Sequence, residues 1–532
     1  MRSAAAPSAL SRKEGSSKIV RPQVRERAAP GRQAADIPFW CGVAATFTAL
    51  WCAITSTTLW IDEGFSAWVA GHRTLSLALR TIAIGDVSDR QMPLHYVWLW
   101  VWSHTVGGSE YALRAANLPF AALFVVSIAL VGRLVFHRRF GWIPFALSPF
   151  AWFYLNEGRA YFMLVSFATC STAALLIHAY GPVTYRRMSA WATLAGLLGA
   201  MLTHMLAGFL APAFLVIYLD ARRRGAWSWR HWQWSAIAFV PPLLALAAFY
   251  GANLASTRTA YDYGLPSPGY FAVALYELAG FGGLGPPRNQ LRGVDLTVFI
   301  PYLPSLVAGA AAAVFCLVTA LRGKAADKAR PLSLAFGASF LAAVAAAYAV
   351  NSRFLGRHVA ALLPLAIFAL MAWLPHRRQW IALGLIWMAS DVRYRFTPAY
   401  GKDDYRSAVH DVVSRHSTEP GFIAWAADPL TANYYGLALT DVDRQRYYEF
   451  DYNSEVRNTP WRVISQGVIV ENWKPDAARR LLESGRNAGS PVYLALSKPD
   501  LYDVHGGWQD MIASAKIQPA ASYASFNIYV FR

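Results

Sequence analysis

Apolar runs recur along the chain at 37–59, 92–107, 112–136, 140–155, 160–180, 188–203, 205–220, 233–254, 297–321, 331–350, 358–375 and 378–391. About 20 apolar residues cross the hydrocarbon core as a helix, so twelve helices compete for the membrane. Six basic clusters separate them: the amino-terminal arm, His137-Arg138-Arg139, Arg186-Arg187, Arg222-Arg223-Arg224 with Arg230, the Arg322–Arg330 segment, and His376-Arg377-Arg378. Lys and Arg in short loops favour the cytoplasmic side. If all twelve runs span, every cluster after the first falls outside; if 92–107 does not span, all six fall inside. That run has only 16 residues, contains His95 and His104, and is rich in Trp, which prefers the membrane interface. Met92–Val106 is therefore predicted to lie on the outer surface. Eleven spans remain, with the amino terminus cytoplasmic and the carboxyl terminus outside.

The flanks read differently. Residues 1–36 hold eight Lys or Arg against Glu14, Glu26 and Asp36, a composition that cannot bury a core and predicts a disordered cytoplasmic arm. It is too long and too charged for a signal-peptide n-region, so the first helix is expected to stay as an anchor. Residues 37–391 form the membrane domain, with outer loops at 60–111 and 255–296. Residues 392–532 mix helical patterns (403–414, 475–484) with strand candidates at Phe422–Ala426, Val468–Glu471, Val492–Leu496 and Phe526–Phe531. This predicts an α/β domain outside the cytoplasm, either binding an acceptor or covering a site.

Composition agrees. Of 532 residues, 55% are hydrophobic and 15% charged, where soluble chains carry about 25% charged residues. The net charge of +18 suggests nucleic acid at first sight, but its Lys and Arg sit where topology explains them, and no nucleic-acid partner is expected. Cys41, Cys52, Cys170 and Cys316 lie in apolar runs without a CxxC pair, so neither a disulfide framework nor a thiolate metal site is expected.

Twelve carboxylates fall between residues 37 and 391, and only Asp220 and Asp327 lie in predicted cytoplasmic loops. None lies near the centre of a span, which argues against an ion-coupled transporter and moves any chemistry to the outer interface. There, Asp62-Glu63 follows the first apolar run. An ionised Asp at that position can take a proton from an acceptor hydroxyl as its oxygen attacks a sugar carbon; two solvated interfacial acids are the bland alternative. Asp86 to Tyr96 turns into the surface helix and carries Arg90 and His95. Glu110 and Arg114 are spaced i,i+4, which predicts a local ion pair. In Asn156-Glu157-Gly158-Arg159, Arg159 can hold a phosphate and Glu157 can orient it, or the two form a simple salt bridge. His204 falls in the next outer turn, as a packing residue or a ligand contact. The 255–296 loop brings Arg258, Tyr261 and Arg288, and the Asn351–His358 segment brings Arg353, Arg357 and His358. Cations on the outer face run against the topological rule; a lipid-linked phosphate explains them, as would ordinary anionic head groups.

As an ordered series over roughly 37–410, these segments resemble motifs of the GT-C fold integral-membrane glycosyltransferases, in particular the protein O-mannosyltransferases, aminoarabinose lipid A transferases and bacterial core galacturonosyltransferases. Asp62-Glu63 resembles the first-loop acidic motif, and Met92-Pro93-Leu94-His95-Tyr96 the Pro-Pro-Leu-Tyr-Tyr element. Gly108 to Arg114 resembles the lead into the second helix. Leu147-Ser148-Pro149-Phe150 through Asn156-Glu157-Gly158-Arg159-Ala160-Tyr161 resembles the Ser-Pro…Glu-Ala-Arg-x-Tyr motif, and Thr203-His204 the Thr-His-Tyr. The resemblance implies a polytopic α-helical GT-C protein in a bacterial inner membrane. It also implies inverting sugar transfer from a polyprenyl-phosphate donor to a glycan, lipid or protein acceptor, with Asp62 as base. Two departures are visible: Met92 replaces the first Pro, and residues 86–91 lack the usual Lys or His, with Arg90 as the substitute. No metal or other cofactor is expected. A ligase or polymerase using a pyrophosphate-linked glycan, or a lipid-linked sugar flippase, are the other readings.

Overall fold

The computed structural model describes residues 37–84, 87–257, 266–287, 290, 296–307, 328–351, 354–442, 444, 462–465, 467–471, 473–503 and 505–532. The amino-terminal arm and the candidates Arg258, Tyr261, Arg288 and Arg353 lie outside the described residues.

Six helices among the described residues are long and apolar enough to cross a bilayer: Glu110–Leu134, Tyr161–Tyr180, Met205–Arg223, Gln233–Asn253, Ala329–Ala349 and Gly356–Trp373. Each coincides with one of the eleven expected spans. The other five differ for local reasons. Helix α1 (Ile37–Cys52) has 16 residues and stops where Thr55-Ser56-Thr57-Thr58 begins, because hydroxyl-bearing and β-branched side chains compete with helical geometry. The 140–155 run breaks into Ile143–Ala146 and Pro149–Leu155, since Pro149 lacks the N–H needed to continue a helix and instead starts one. Arg186–Thr203 and Arg377–Phe396 are continuous helices that include basic residues. Of the 297–321 run, only the part up to Val307 is described. The surface-helix expectation meets a helix at Pro93–Thr105 of 13 residues, or about 20 Å, which is too short for a core of about 30 Å. Its indoles are tied inward: Trp98 donates to Ala116 O, Trp100 to His72 O and Trp102 to Ala112 O, at 2.8–2.9 Å.

Tyr161–Tyr180 is the enclosed centre of the bundle, packed on Arg186–Thr203 and Leu118–Leu134. Close approach depends on small residues, because lipid offers helices no hydrophobic drive to associate. A Cβ on Gly196 would lie 2.9 Å from Ser171 N, and one on Gly199 2.6 Å from the Phe167 ring. The Ser171 hydroxyl closes the same seam by donating to Thr193 O at 2.6 Å.

Among the described residues, the carboxyl-terminal domain forms a six-stranded sheet, with strands β1 (Phe422–Ala426), β2 (Arg462–Ser465), β3 (Val468–Glu471), β4 (Val492–Ser497), β5 (Ala521–Tyr523) and β6 (Phe526–Phe531). The order is β2-β3-β1-β4-β6-β5, parallel at β3-β1-β4 and antiparallel elsewhere. All four predicted strands are present, and the two added ones, β2 and β5, are short edges. Alternation sends Ile423 and Trp425 toward the Tyr405–Thr418 helix, and Ala424 and Ala426 toward Pro475–Asn487. With both faces covered, β4 is buried throughout, and β1 and β3 each have only one partly exposed end residue.

This domain sits on helix α2 (Ile61–Ala70) through the short helix Pro429–Tyr434. Leu430 enters a cluster with Phe65, Trp68, Val69 and Tyr96. The Tyr435 hydroxyl accepts from Leu59 N at 2.7 Å, and Tyr434 donates to Gly108 O at 2.8 Å. Gly64 makes the seat possible: a Cβ there would lie 2.0 Å from Thr431 Oγ1 and 2.7 Å from its Cα. Gly64→Ala is therefore expected to destabilise the protein by ~1–3 kcal/mol through overpacking. Thermal unfolding in detergent, compared with Gly251→Ala, where the added methyl meets open space, checks this.

Candidate active site

The site begins in the first turn of α2. Asp62 and Glu63 stand at a helix amino terminus, where the peptide dipoles favour negative charge, yet the two neighbours meet opposite environments. Glu63 is 1% exposed. Its Oε1 accepts from Arg114 Nε at 2.9 Å and from Gly158 N at 2.8 Å, and its Oε2 accepts from Arg114 Nη2 at 2.9 Å and Lys402 Nζ at 2.8 Å. Burial by itself would raise the Glu63 carboxyl, but Lys402 and Arg114 overcome it and hold the group down at about 2.

Arg114 also binds the strap between α1 and α2. Its Nη1 donates to Thr55 O at 3.0 Å and Thr57 O at 2.6 Å, and its Nη2 to Thr58 O at 3.1 Å. The predicted i,i+4 pair of Glu110 with Arg114 does not form. Arg114 turns inward to Glu63, and Glu110 pairs with Arg406 of the carboxyl-terminal domain. A buried guanidinium needs several acceptors in a planar fork, and the strap carbonyls with Glu63 supply them where the single carboxylate of Glu110 cannot.

Asp62 is open by comparison. Its Oδ2 accepts from Arg357 Nη1 at 3.1 Å, with the two side chains 24% and 32% exposed. An ion pair this accessible is worth about 0–1 kcal/mol, so a ligand can displace it. Arg159 lies behind, 6% exposed. Its Nη1 donates to Tyr96 Oη at 3.1 Å, Ser66 Oγ at 3.3 Å and the Asp62 carbonyl at 3.4 Å, and lies 3.7 Å from Asp89 Oδ1. Tyr96 in turn donates to Asp89 Oδ1 at 2.5 Å. The Arg159 Nε hydrogen is buried without a partner.

The histidines surround this pair of guanidinium groups. His95 is buried against Arg159, hydrogen-bonded to the Gly158 backbone, with its Nε2 unpartnered. His204 Nδ1 accepts from Leu206 N at 3.2 Å, and its ring lies 5.9 Å from that of Tyr161. Burial lowers both imidazoles to about 3, with nearby positive charge from Arg159 acting on each and His358 and Arg357 acting further on His204. Both are therefore neutral at ordinary pH. His358 Nδ1 accepts from Leu355 N at 3.1 Å.

The structure thus gathers Asp62, Glu63, His95, Glu157, Arg159, His204, Arg357 and His358 at one end of the bundle. Glu157 is 2% exposed and bears electrostatically on Arg114 and Lys402. Arg90 is half-buried with an unpartnered Nε. Sequence reasoning missed Lys402, Tyr96 and Asp89 as site residues. Tyr96 and Asp89 lie seven positions apart across the turn into the surface helix, a weak but usable signal; Lys402, 339 positions from Glu63, leaves none. Among the described residues, no group of three or more His, Cys, Asp or Glu side chains is arranged to hold a metal ion.

No protein-family model matches the chain, and no curated protein matches it by sequence. Among solved structures, it is similar to ArnT from Cupriavidus metallidurans bound to undecaprenyl phosphate, at 14% identity over 94% of this chain and 99% of that one, with a TM-score of 0.44. It is also similar to the apo state of the same protein, at 15% identity over 93% and 97%, TM-score 0.45. A third match is the arabinofuranosyltransferase AftD from Mycobacteria, at 14% identity over 93% and 40%, TM-score 0.37.

Breaking the buried pair leaves a carboxylate without its main partner, so Arg114→Leu is expected to destabilise by ~3–5 kcal/mol, read from thermal unfolding in detergent. A second check is pH. Because the folded Glu63 carboxyl is depressed from 4.5 to about 2, its contribution is fully present above pH 4.5 and is lost as pH falls toward 2. The melting temperature of Glu63→Gln should accordingly fall less than that of the wild type between pH 5 and pH 3.

Proposed function

We propose that the chain is an inverting glycosyltransferase of the GT-C type. It moves a sugar from a polyprenyl-phosphate donor to a glycan, lipid or protein acceptor on the outer face of the membrane. The observation that carries this reading is one accessible carboxylate, Asp62, ion-paired with Arg357 and with the Arg159 guanidinium against its own backbone carbonyl, while the adjacent Glu63 is fully engaged. Of the two neighbouring acids, only Asp62 has an oxygen available to a substrate.

The chemistry follows from these placements. Asp62 accepts the proton of the acceptor hydroxyl as that oxygen forms a bond to the anomeric carbon. The bond from that carbon to the donor phosphate breaks on the opposite face, which inverts the centre. The departing polyprenyl phosphate takes the electron pair, and Arg159 and Arg357 stabilise the charge that develops on it. A phosphate monoester leaves without a strong general acid, and the neutral His95 and His204 supply hydrogen bonds rather than protons. Glu63, held ionised by Arg114 and Lys402, acts by position: it links the helix that carries Asp62 to the loop that carries Arg159. The carboxyl-terminal domain, on the same outer side, roofs this end of the bundle.

Asp62→Asn is expected to lower transfer by at least ~10²-fold while undecaprenyl phosphate still binds. Lipid-linked sugars extracted from cells with and without the gene supply the donor for the assay, and mass spectrometry of the envelope glycans shows the missing residue. Normal transfer by the Asn variant would sink the assignment of the base; movement of the lipid across vesicles with no sugar transferred would indicate a flippase.

A further inference from the structure

The segment between the Arg377–Phe396 helix and the soluble domain is tied within five residues to both halves of the molecule. Lys402 reaches into the membrane domain, giving its ammonium hydrogens to Glu63 Oε2 and Asn156 O, each at 2.8 Å. Asp403 pairs with Lys498 at the end of β4. Asp404 N donates to Ala524 O at 3.0 Å, and the Asp404 carboxylate caps the next helix at Ser407 N, 3.1 Å away. Arg406 then returns to the membrane domain, at Ser56 O (2.8 Å) and Glu110.

We propose that Lys402 is a positioning residue through which the seating of the soluble domain sets the geometry of the candidate active site. Two Cα–Cα steps separate Lys402 from Asp404, a reach of at most about 7 Å, so the domain cannot lift by more than a few ångströms without drawing Lys402 off Glu63. The same ammonium holds Asn156 O, at the start of the loop that carries Gly158 and Arg159. Asn156 Oδ1 accepts from Thr55 N at 2.9 Å on the strap before α2. Withdrawal of Lys402 thus removes one of the two cations on Glu63 Oε2 and releases the first peptide of the Arg159 loop together. An unseated domain would leave Asp62 and Arg159 present but out of register, and reaction would await a closed roof.

This inference rests on the reading of Asp62 and Arg159 as the reacting end, and its test is independent of turnover. Hydrogen exchange is measured on the full chain in lipid nanodiscs for wild type, Lys402→Met, Lys402→Arg and Asp403→Ala. Lys402→Met should raise exchange about tenfold in 58–66 and 155–160 while 161–180 stays protected, and Lys402→Arg should restore most of the protection. Asp403→Ala touches neither segment, yet should raise exchange in both. Unchanged exchange in Lys402→Met, or an Asp403→Ala effect confined to the soluble domain, would overturn the proposal. If Lys402→Met does not fold, Asp403→Ala decides alone. Binding of undecaprenyl phosphate is followed in parallel: a wild type that does not bind it removes the proposed function, while the exchange result still decides the coupling.

Discussion

One buried carboxylate organises this end of the molecule. Glu63 can remain ionised away from water only because two cations and the Gly158 amide, with the Trp60 amide of its own helix start, surround it, and the cations and Gly158 each come from a different part of the chain. Arg114 brings the start of the Glu110–Leu134 span and, through its remaining donors, the strap after α1. Gly158 brings the loop of Arg159. Lys402 brings the junction to the soluble domain. Desolvating an ion is costly enough that this arrangement is nearly all-or-none, so four segments are held in one relative placement by a single group.

The adjacent residue shows what that rigidity serves. Asp62 shares the helix turn with Glu63 but keeps its own side chain half-open, paired among the described residues with an accessible Arg357. A group that must exchange partners during a reaction cannot also be a structural anchor. Neighbouring positions on one turn point in different directions, so α2 can turn one acid into the protein and leave the other accessible. The precision needed at Asp62 is thereby supplied by Glu63, and the weak Asp62–Arg357 pair leaves the site adjustable.

Much of this was legible along the chain, to different depths. Asp62, Arg159, His204 and Arg357 were each read from charge placed at the edge of an apolar run, and the structure gathers them. The predicted strands at 422–426, 468–471, 492–496 and 526–531 were legible because apolar β-branched and aromatic residues cluster in short runs. The span count was less so. Hydropathy averages over the Thr-rich strap at 55–58 and over Pro149, and it counts as continuous what the backbone interrupts. Arg114 was visible, but its partner was misread: spacing suggested Glu110, whereas the unmet donors of a buried guanidinium directed it to Glu63.

The sequence by itself determined the membrane character, the α/β nature of the carboxyl-terminal domain and the concentration of acids and cations at one set of loop positions. These follow from transfer free energies and local periodicity, which act on each segment independently of the rest. Only the tertiary structure decided which acid is anchored and which is free, that Gly64 admits Thr431, and that Lys402 returns from far along the chain to Glu63. The reason is physical. A carboxylate has the same chemistry at either position, and its role is set by how much water and how many cations surround it, which are properties of the packed whole.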